Sequence, residues 1–244
     1  GGAAGMFASI IAARNGHEVL VFESNEKLGK KLFITGKGRC NLTNACDMDV
    51  LCVSVVSNPK FLYSSFYGFT NQDAIAFFEE LGLRTKIERG DRVFPISDHS
   101  SDVIRVLSDE MHRLGVEISL RTRVKKVVSE EGVFHHIVLE DGTIVAGDAC
   151  MIATGGLSYQ STGSTGDGFR FAEDLGHHVT ECMPSLVPIE TKESWVKELQ
   201  GLSLKNVNIT ICDGKKILYD EFGEMLFTHY GVSGPLILTA SSYV

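Results

Sequence analysis

The sequence GGAAGMFASIIAARNGHEVLVFE, residues 1–23, decides the fold class of this chain. Its Gly2-Ala3-Ala4-Gly5 matches the second half of the G-x-G-x-x-G fingerprint, in which glycines let a pyrophosphate approach a helix N-terminus. The small and apolar residues of 3–15 predict a buried helix, which Gly16 ends. Residues 17–23 then predict a buried strand. This order of glycine turn, helix and strand indicates a Rossmann-like α/β unit.

Glu23 stands at the end of the predicted strand, 18 residues after Gly5. A carboxylate at this place can accept hydrogen bonds from the 2′-OH and 3′-OH of a ribose. A solvated charge is the alternative for Glu23, and simple helix packing is the alternative for the glycines. The combination favours dinucleotide binding. Glu23 disfavours NADP, because a carboxylate repels a 2′-phosphate.

The composition limits the class of protein. The 244 residues are 43% hydrophobic and 22% charged, which is typical of a globular chain and excludes disordered, collagen-like and low-complexity classes. The net charge of −8 disfavours a dedicated nucleic-acid binder. No apolar run approaches the ~18–20 residues that span a bilayer, and no signal segment opens the chain. We therefore expect a cytoplasmic protein outside the membrane.

Hydrophobic periodicity predicts the remaining elements. A capping box at Thr70-Asn71-Gln72-Asp73 begins a helix that runs to Gly82, and a second helix covers about 101–114. Strands are predicted at 116–120, 123–129, 133–139 and 147–153. Residues 24–44 have no period and are a candidate binding loop. Strict alternation at 206–211, the Asp213-Gly214 turn and the apolar 217–219 predict a hairpin in a second domain that begins near 185.

Residues 30–44, KKLFITGKGRCNLTN, contain lysines, an arginine and glycines that suit a phosphate and a flat ring. A solvated basic loop would explain the lysines but not the run Gly-Lys-Gly-Arg-Cys-Asn. The stretch closely resembles the signature of the BaiN/RdsA-type flavoproteins, also called aminoacetone-oxidase-family FAD-binding enzymes. Further matches lie in RGDRVFP at 89–95, MIATGG at 151–156, TGSTGDG at 162–168, PSLVP at 184–188 and FTHYGVSGP at 227–235.

The resemblance implies an FAD enzyme whose Rossmann-like flavin domain is interrupted by a substrate domain. Residues 1–184 would form the FAD-binding domain, and 185–244 the beginning of an inserted β-rich substrate domain. The family's first strand before the glycines and its C-terminal return segment would be missing. We therefore expect a fragment of a longer protein that is inactive by itself.

The same resemblance assigns a role to residues along the whole flavin domain. It implies that the pyrophosphate is held by Gly2, Ala3, Ala4 and Gly5, the adenosine ribose by Glu23, the adenine by the backbone of Val124, and the ribityl and isoalloxazine side by Lys31, Thr35, Gly38, Arg39, Cys40 and Asn41. Independently, an apolar strand that ends in Thr-Gly-Gly would bring Ala153, Thr154 and Gly155 close to a dinucleotide, although a plain strand-to-loop turn has the same pattern. Glycines and hydroxyls at 161–168 precede a predicted helix at 169–175 and could present N–H groups to an anion.

Thiols and histidines offer competing sites. Cys40 and Cys46 invite comparison with disulfide reductases, but their C-x5-C spacing differs from the C-x4-C of that class, so we expect no redox disulfide. The pairs His135-His136 and His177-His178 have no partners at metal-ligand spacing, and we expect no metal. His229 lies in a matched motif and is a possible proton donor on the substrate side. No catalytic residue is assigned.

What the resemblance implies for activity is hydride transfer from NAD(P)H, through FAD, to a C=C conjugated to a carbonyl. The substrate would be a small enone-type molecule such as a bile acid, or a uracil base in ribosomal RNA. Two alternatives stay open, namely an FAD-dependent amine oxidase that produces peroxide and a non-catalytic dinucleotide-binding module.

Overall fold

A computed structural model of the chain describes residues 1–244. The chain divides into two compact units, one of Gly1–Ser54 with Lys60–Val179 and the other of Val55–Pro59 with Thr180–Val244. No helix in the structure combines the length and apolar character needed to cross a bilayer.

The first unit combines seven helices with eight strands. Its helices are α1 (Ala3–Arg14), α2 (Lys30–Ile34), α3 (Met48–Val53), α4 (Pro59–Gly68, which begins in the other unit), α5 (Asn71–Glu80), α6 (Ser100–Arg113) and α7 (Asp167–Asp174), with single 3-10 turns at Thr35–Gly38 and Gln160–Thr162. Its strands are β1 (Leu20–Phe22), β2 (Thr43–Asn44), β3 (Thr85–Glu88), β4 (Arg92–Pro95), β5 (Glu117–Ser119), β6 (Val124–Glu130), β7 (Val133–Leu139) and β8 (Ile144–Ala146).

The core of the first unit lies between α1 and α6. Met6 and Ile10 of α1 are fully buried, as are Val103 and Met111 of α6. Burial of one such side chain stabilises the fold by roughly 1.5–3 kcal/mol, so this helix pair anchors the glycine turn that precedes it. The predicted helix at 3–15 is confirmed, and Gly16, with φ of +86°, follows its C-terminus in the left-handed conformation.

The strand β1 pairs in parallel with β5. Leu20 pairs with Glu117 and Phe22 pairs with Ser119, and the N–H of Glu23 extends the ladder by donating to the Ser119 carbonyl at 2.9 Å. The helix α1, β1, and the later β5 in parallel register form the Rossmann-type arrangement expected from the sequence.

An ion-pair group joins the C-terminal ends of α1 and α6. Arg14 Nη2 lies 2.7 Å from Glu110 Oε1, and Arg113 Nε lies 2.6 Å from Glu110 Oε2. Glu110 is 6% exposed. Hydrogen bonding from Arg113, joined by that from Arg14, outweighs the effect of burial and lowers the pKa of Glu110 from 4.5 to about 2.

Two antiparallel sheets complete the first unit. In one, β7 lies between β6 and β8, and in the other β4 lies between β2 and β3. The capping box at α5 forms as predicted, since Thr70 and Asp73 bond reciprocally. The strand predicted at 147–153 is wrong, because the ladder ends with β8 at Ala146 and residues 147–153 pair with no strand. Apolar character alone does not supply the partner that makes a strand.

The second unit is a four-stranded antiparallel sheet with a helix packed on it. It contains β9 (Ile189–Glu190), α8 (Trp195–Glu198), β10 (Ser203–Asp213), β11 (Lys216–Phe227), β12 (Gly231–Ser233) and α9 (Pro235–Ala240), with the strands in the order β10, β11, β12, β9. The predicted hairpin is confirmed by pairing of β10 with β11 around Gly214. A bulge between Leu204 and Val207 interrupts it, where Asn206 has a φ of +56°.

Candidate functional site

The first turn of α1 is open to an anionic ligand. Gly2 is the N-cap in an extended conformation, no side chain caps the helix, and no acidic residue lies in the first turn. Ala3 and Ala4 are exposed. A Cβ placed on Gly5 would lie 3.5 Å from the Cβ of Ala153, so the two residues pack side by side. Free N–H groups at the positive end of a helix dipole suit a phosphate.

Glu23 is held in one orientation beside this turn. The backbone N–H and the Nδ2 group of Asn25 both donate to Glu23 Oε1, at 2.8 and 2.7 Å. Glu23 Oε2 lies 3.1 Å from the amino nitrogen of Gly1. Burial raises the pKa of Glu23, but the opposing interactions, of which the hydrogen bond from the Asn25 backbone is the largest, hold that pKa below its usual value. Glu23 is therefore an ionised acceptor at neutral pH.

Asn25 is not among the residues predicted for the site, yet it joins three parts of it. Its Nδ2 also donates to the carbonyl of Thr162 at 3.1 Å, and its Oδ1 accepts from Lys30 Nζ at 3.1 Å. A sequence signal was present, since an Asn side chain readily bonds to backbone and side chains near it in the chain. Its long-range bond to Thr162 has no signal in the sequence.

The segment around Gly155 lies close to the side chains of Lys31 and Ser164. Lys31 Nζ donates to the Ser158 carbonyl at 2.7 Å. Gly155 has a φ of +77°, and a Cβ there would meet Ser164 Oγ at 2.5 Å and lie 4.0 Å from Lys31 Nζ. Thr154 and Gly155 are exposed. The structure thus brings Ala153 against Gly5 of the glycine turn, and Lys31 against Gly155 and Ser158.

Val124 lies just beyond the stretch of backbone that flanks Glu23. The N–H of Thr122 donates to the Glu23 carbonyl, and the N–H of Arg121 donates to the Asn25 carbonyl, both at 2.9 Å. Two residues later Val124 begins β6, half-buried in a cluster that includes Phe22. The contact of Val124 with an adenine stays a prediction.

Most residues predicted for the flavin side, Thr35, Gly38, Arg39, Cys40 and Asn41, lie in a separate, strained turn, whereas Lys31, predicted with them, lies in α2 and bonds to Ser158. Gly36, Lys37, Gly38 and Cys40 all have φ between +55° and +84°. The turn is fixed by a bond from Thr35 Oγ1 to the Leu32 carbonyl at 2.7 Å and by one from the Cys40 N–H to the Thr35 carbonyl at 3.1 Å. Left-handed residues other than glycine cost of order 1–3 kcal/mol each and cluster at ligand sites. No hydrogen bond or ion pair joins residues 35–41 to Glu23 or the α1 turn.

Arg39 and Asn41 are turned toward the β3–β4 hairpin. Arg39 donates two bonds to the Glu88 carboxylate, at 3.2 and 2.7 Å, and its Nη1 lies 3.4 Å from Asp98. With its side-chain amide in the orientation that satisfies both atoms, Asn41 donates to the Thr43 and Val93 carbonyls. Both residues hold the turn to the hairpin through their side chains.

The thiol of Cys40 is buried, 2% exposed, and it makes no disulfide with Cys46. Burial raises the pKa of Cys40 and outweighs the opposing hydrogen bond with Thr35. A thiol of this kind stays protonated at neutral pH and is a poor nucleophile. His229 lies edge to face with Tyr230 in the second unit, with the ring centroids 4.7 Å apart. No group of three or more metal-ligating side chains is present.

A cavity of about 440 Å³ lies beside this region and does not include the glycine turn. It is an open groove whose lining comprises Lys27, Leu28, Phe33, Ser101, Ile104, Ser108, His112, Ile118 and Leu120. We place the candidate site at α1 and Glu23, because the polar groups converge there and not in the groove.

Comparison with known proteins gives matches along nearly the whole chain. The family profile described as "HI0933-like protein Rossmann domain" matches residues 1–238. A 3-dehydro-bile acid delta(4,6)-reductase from Clostridium scindens is 34% identical over 100% of this chain and 59% of its own length. A ribosomal RNA dihydrouridine synthase from Escherichia coli is 33% identical over 99% of this chain and 59% of its own length. The chain thus spans 59% of the length of these relatives.

Among solved structures, the open conformation of a flavocytochrome c3 fumarate reductase has a TM-score of 0.55 to this chain. It is 18% identical and covers 84% of this chain and 45% of its own. At that identity the likeness supports the fold alone.

Proposed function

The chain belongs to the HI0933-like Rossmann-domain family, and from this we propose that it is the FAD-binding part of an oxidoreductase. The observation that carries the proposal is the pairing of an uncapped α1 N-terminus with the oriented Glu23 carboxylate. An anion-binding helix end beside a ribose acceptor is what the ADP half of a dinucleotide requires.

The residues present fit this half of FAD. The first turn of α1 offers unpartnered N–H groups next to exposed alanines. Gly5 packs beside Ala153. Glu23 Oε2 faces the turn, while Oε1 is occupied by Asn25. We propose that Gly2, Ala3, Ala4 and Gly5 bind the pyrophosphate, Glu23 the ribose, and Val124 the adenine. We further propose that Ala153, Thr154, Gly155 and Lys31 line the same groove.

For the flavin half we propose the strained turn of residues 35–41. Its conformation is fixed from two sides, by Thr35 within the turn and by the bonds from Arg39 to Glu88. The residues proposed here are Thr35, Gly38, Arg39, Cys40 and Asn41. The flavin would supply the hydride chemistry, and the protein supplies binding, orientation and electrostatics.

We propose that residues 1–184 form the FAD-binding domain and that 185–244 begin a β-rich substrate domain. The change from the first compact unit to the second at residue 180 supports this division. The sheet of β9 to β12 shares no strand with the first unit, as an inserted domain requires.

For the reaction we propose that NAD(P)H reduces the flavin and that the hydride then passes to a C=C conjugated to a carbonyl. A reductase and a dihydrouridine synthase among the relatives support this class, because dihydrouridine is uridine with its conjugated C=C reduced.

A small enone-type molecule is the favoured substrate over a uracil base in ribosomal RNA. Residues 180–244 contain eight acidic residues, five lysines and no arginine. This excess of negative charge opposes a phosphate backbone. The same unit exposes apolar side chains, including Trp195 and Phe222 at 54% and 64%.

The test is anaerobic reduction of the FAD-loaded full-length protein by NADH or NADPH, followed by a panel of substrates. We expect bleaching of the flavin absorbance and reoxidation by a steroidal enone. Reoxidation by unmodified ribosomal RNA would instead indicate that a uracil base is the substrate. Peroxide formed from an amine would contradict the reductase, and absence of any turnover would leave a binding module.

A further inference from the structure

The side-chain amide of Asn25 stands between the Glu23 carboxylate and the loop of residues 158–166. Its Nδ2 group donates both to Glu23 Oε1 at 2.7 Å and to the Thr162 carbonyl at 3.1 Å. Its Oδ1 accepts from Lys30 Nζ at 3.1 Å. Both N–H bonds and the oxygen of one amide are thus engaged, so the amide has a single orientation.

The loop comes unusually close to this amide. Gly163 has a φ of +98°, and a Cβ placed on it would lie 2.6 Å from Asn25 Nδ2. Only glycine satisfies both conditions. A second hydrogen bond, donated by Lys31 Nζ to the Ser158 carbonyl at 2.7 Å, holds the first residue of the loop.

The Glu23 side chain makes no hydrogen bond or ion pair with the loop. Its carboxylate bonds only with Asn25, with Ser24 at 3.4 Å and with the Gly1 amino group. The side-chain hydrogen bonds that lead from Glu23 to residues 158–166 run through Asn25. The negative charge on Oε1 fixes the amide with its N–H groups toward the carboxylate, and this same orientation presents an N–H to Thr162.

We propose that Asn25 is a positioning residue that couples the Glu23 carboxylate to the loop of residues 158–166. Ordering of that loop and binding of the adenosine ribose then stabilise one another. This coupling rests on the proposed FAD site, since Glu23 is assigned to the ribose there.

Hydrogen exchange of the unliganded full-length protein tests the coupling without any cofactor. The N–H groups of Thr162 and Gly163 bond within the loop, to Tyr159 and Gln160. We expect both to exchange about tenfold faster in Asn25→Ala and also faster in Glu23→Gln, which touches no loop residue. Asn15→Ala is the matched control, because Asn15 bonds only within the end of α1. Unchanged exchange in Glu23→Gln would overturn the coupling.

FAD affinity supplies the second readout, by titration of flavin fluorescence. Loss of one charge-assisted bond corresponds to about tenfold weaker binding for Asn25→Ala. In the double variant with Glu23→Gln, we expect less than the product of the two single effects. Asn25→Asp keeps the size but places a second carboxylate beside Glu23, and a shared proton would restore the bond between the two groups, so its FAD affinity should be weakest at pH 8 and rise toward pH 5 while that of the wild type stays flat.

The outcomes separate the two proposals. A wild-type protein that binds no FAD refutes the proposed cofactor and leaves hydrogen exchange to decide the coupling. A protein that binds FAD with strictly multiplicative single effects, and with loop exchange unchanged by Glu23→Gln, retains the cofactor and loses the coupling.

Discussion

The guanidinium of Arg39 lies over the ring of Phe94, with its central carbon 3.9 Å from the ring centroid. The same group bonds to both oxygens of Glu88. A planar guanidinium can stack flat on a ring while it binds both oxygens of a carboxylate, a planar bidentate geometry that an ammonium group lacks. The turn of residues 35–41 is therefore fastened to the β3–β4 hairpin by a geometry specific to arginine.

We expect Arg39→Lys to lower the free energy of unfolding by about 1–2 kcal/mol, because stacking and one of two charged bonds are lost. Thermal unfolding followed by circular dichroism measures the change. Arg89→Lys on the same hairpin is the control, since Arg89 is exposed and has no ion pair. Equal stability of the two variants would contradict the prediction.

Replacing Glu23 with Gln should weaken FAD binding at least tenfold. A charge-assisted hydrogen bond contributes roughly 1.5–3 kcal/mol, and the substitution preserves the shape of the side chain. Titration of flavin fluorescence measures the dissociation constant. Glu18→Gln, at an exposed position before the same strand, should bind as the wild type does. Unchanged affinity in Glu23→Gln would remove this residue from the site.

Gly155 and Gly156 form a matched pair for the segment beside the glycine turn. At Gly155 the backbone has a φ of +77° and a Cβ would meet Ser164 Oγ at 2.5 Å, whereas a Cβ at Gly156 meets only Phe169 at 3.9 Å. Gly155→Ala should therefore cost more than about 1 kcal/mol of stability and weaken FAD binding. Gly156→Ala should change both by little, and a reversed order in thermal unfolding would refute this assignment.

Cys40→Ser should keep most of the turnover. The thiol is buried and its pKa is raised by that burial, so a reactive thiolate is disfavoured. Stopped-flow measurement of reduction by NAD(P)H and of reoxidation by substrate would follow the two half-reactions separately. Loss of the second half-reaction alone, with Cys46→Ser behaving alike, would indicate a redox pair.

Glu110 should make part of the free energy of unfolding depend on pH. Its pKa is lowered from 4.5 to about 2 in the fold, so its contribution is complete above pH 4.5 and disappears as the pH falls toward 2. Glu110→Gln should lose about 1–3 kcal/mol at pH 7 and less at pH 3. Urea unfolding at both pH values tests this, with Asp109→Asn on the exposed side of α6 as the control. A loss that is equal at pH 7 and pH 3 would contradict the assignment.

Local signals made several elements predictable from the sequence. The capping box of Thr70 and Asp73 is a bond between neighbours in the chain, and α6 has a clear apolar face. The hairpin of β10 and β11 follows from alternation and the Asp213-Gly214 turn. In each case the information lies within a few residues.

Elements that depend on distant partners were not predictable. Residues 147–153 have the composition of a strand but pair with none. Within 24–44 the helix Lys30–Ile34 is too short to show a period. The bond from Asn25 to Thr162 spans 137 positions, and only the folded chain brings these residues together.

The bulge at Asn206 has a consequence for association between molecules. β10 is an edge of its sheet, and a long straight edge offers unpaired N–H and C=O groups to the strand of another molecule. The left-handed residue twists this edge out of line, and Lys205 beside it adds a charge that opposes stacking. We therefore expect the bulge at Asn206 to make this edge a poorer template for cross-β growth than a straight β10 would be.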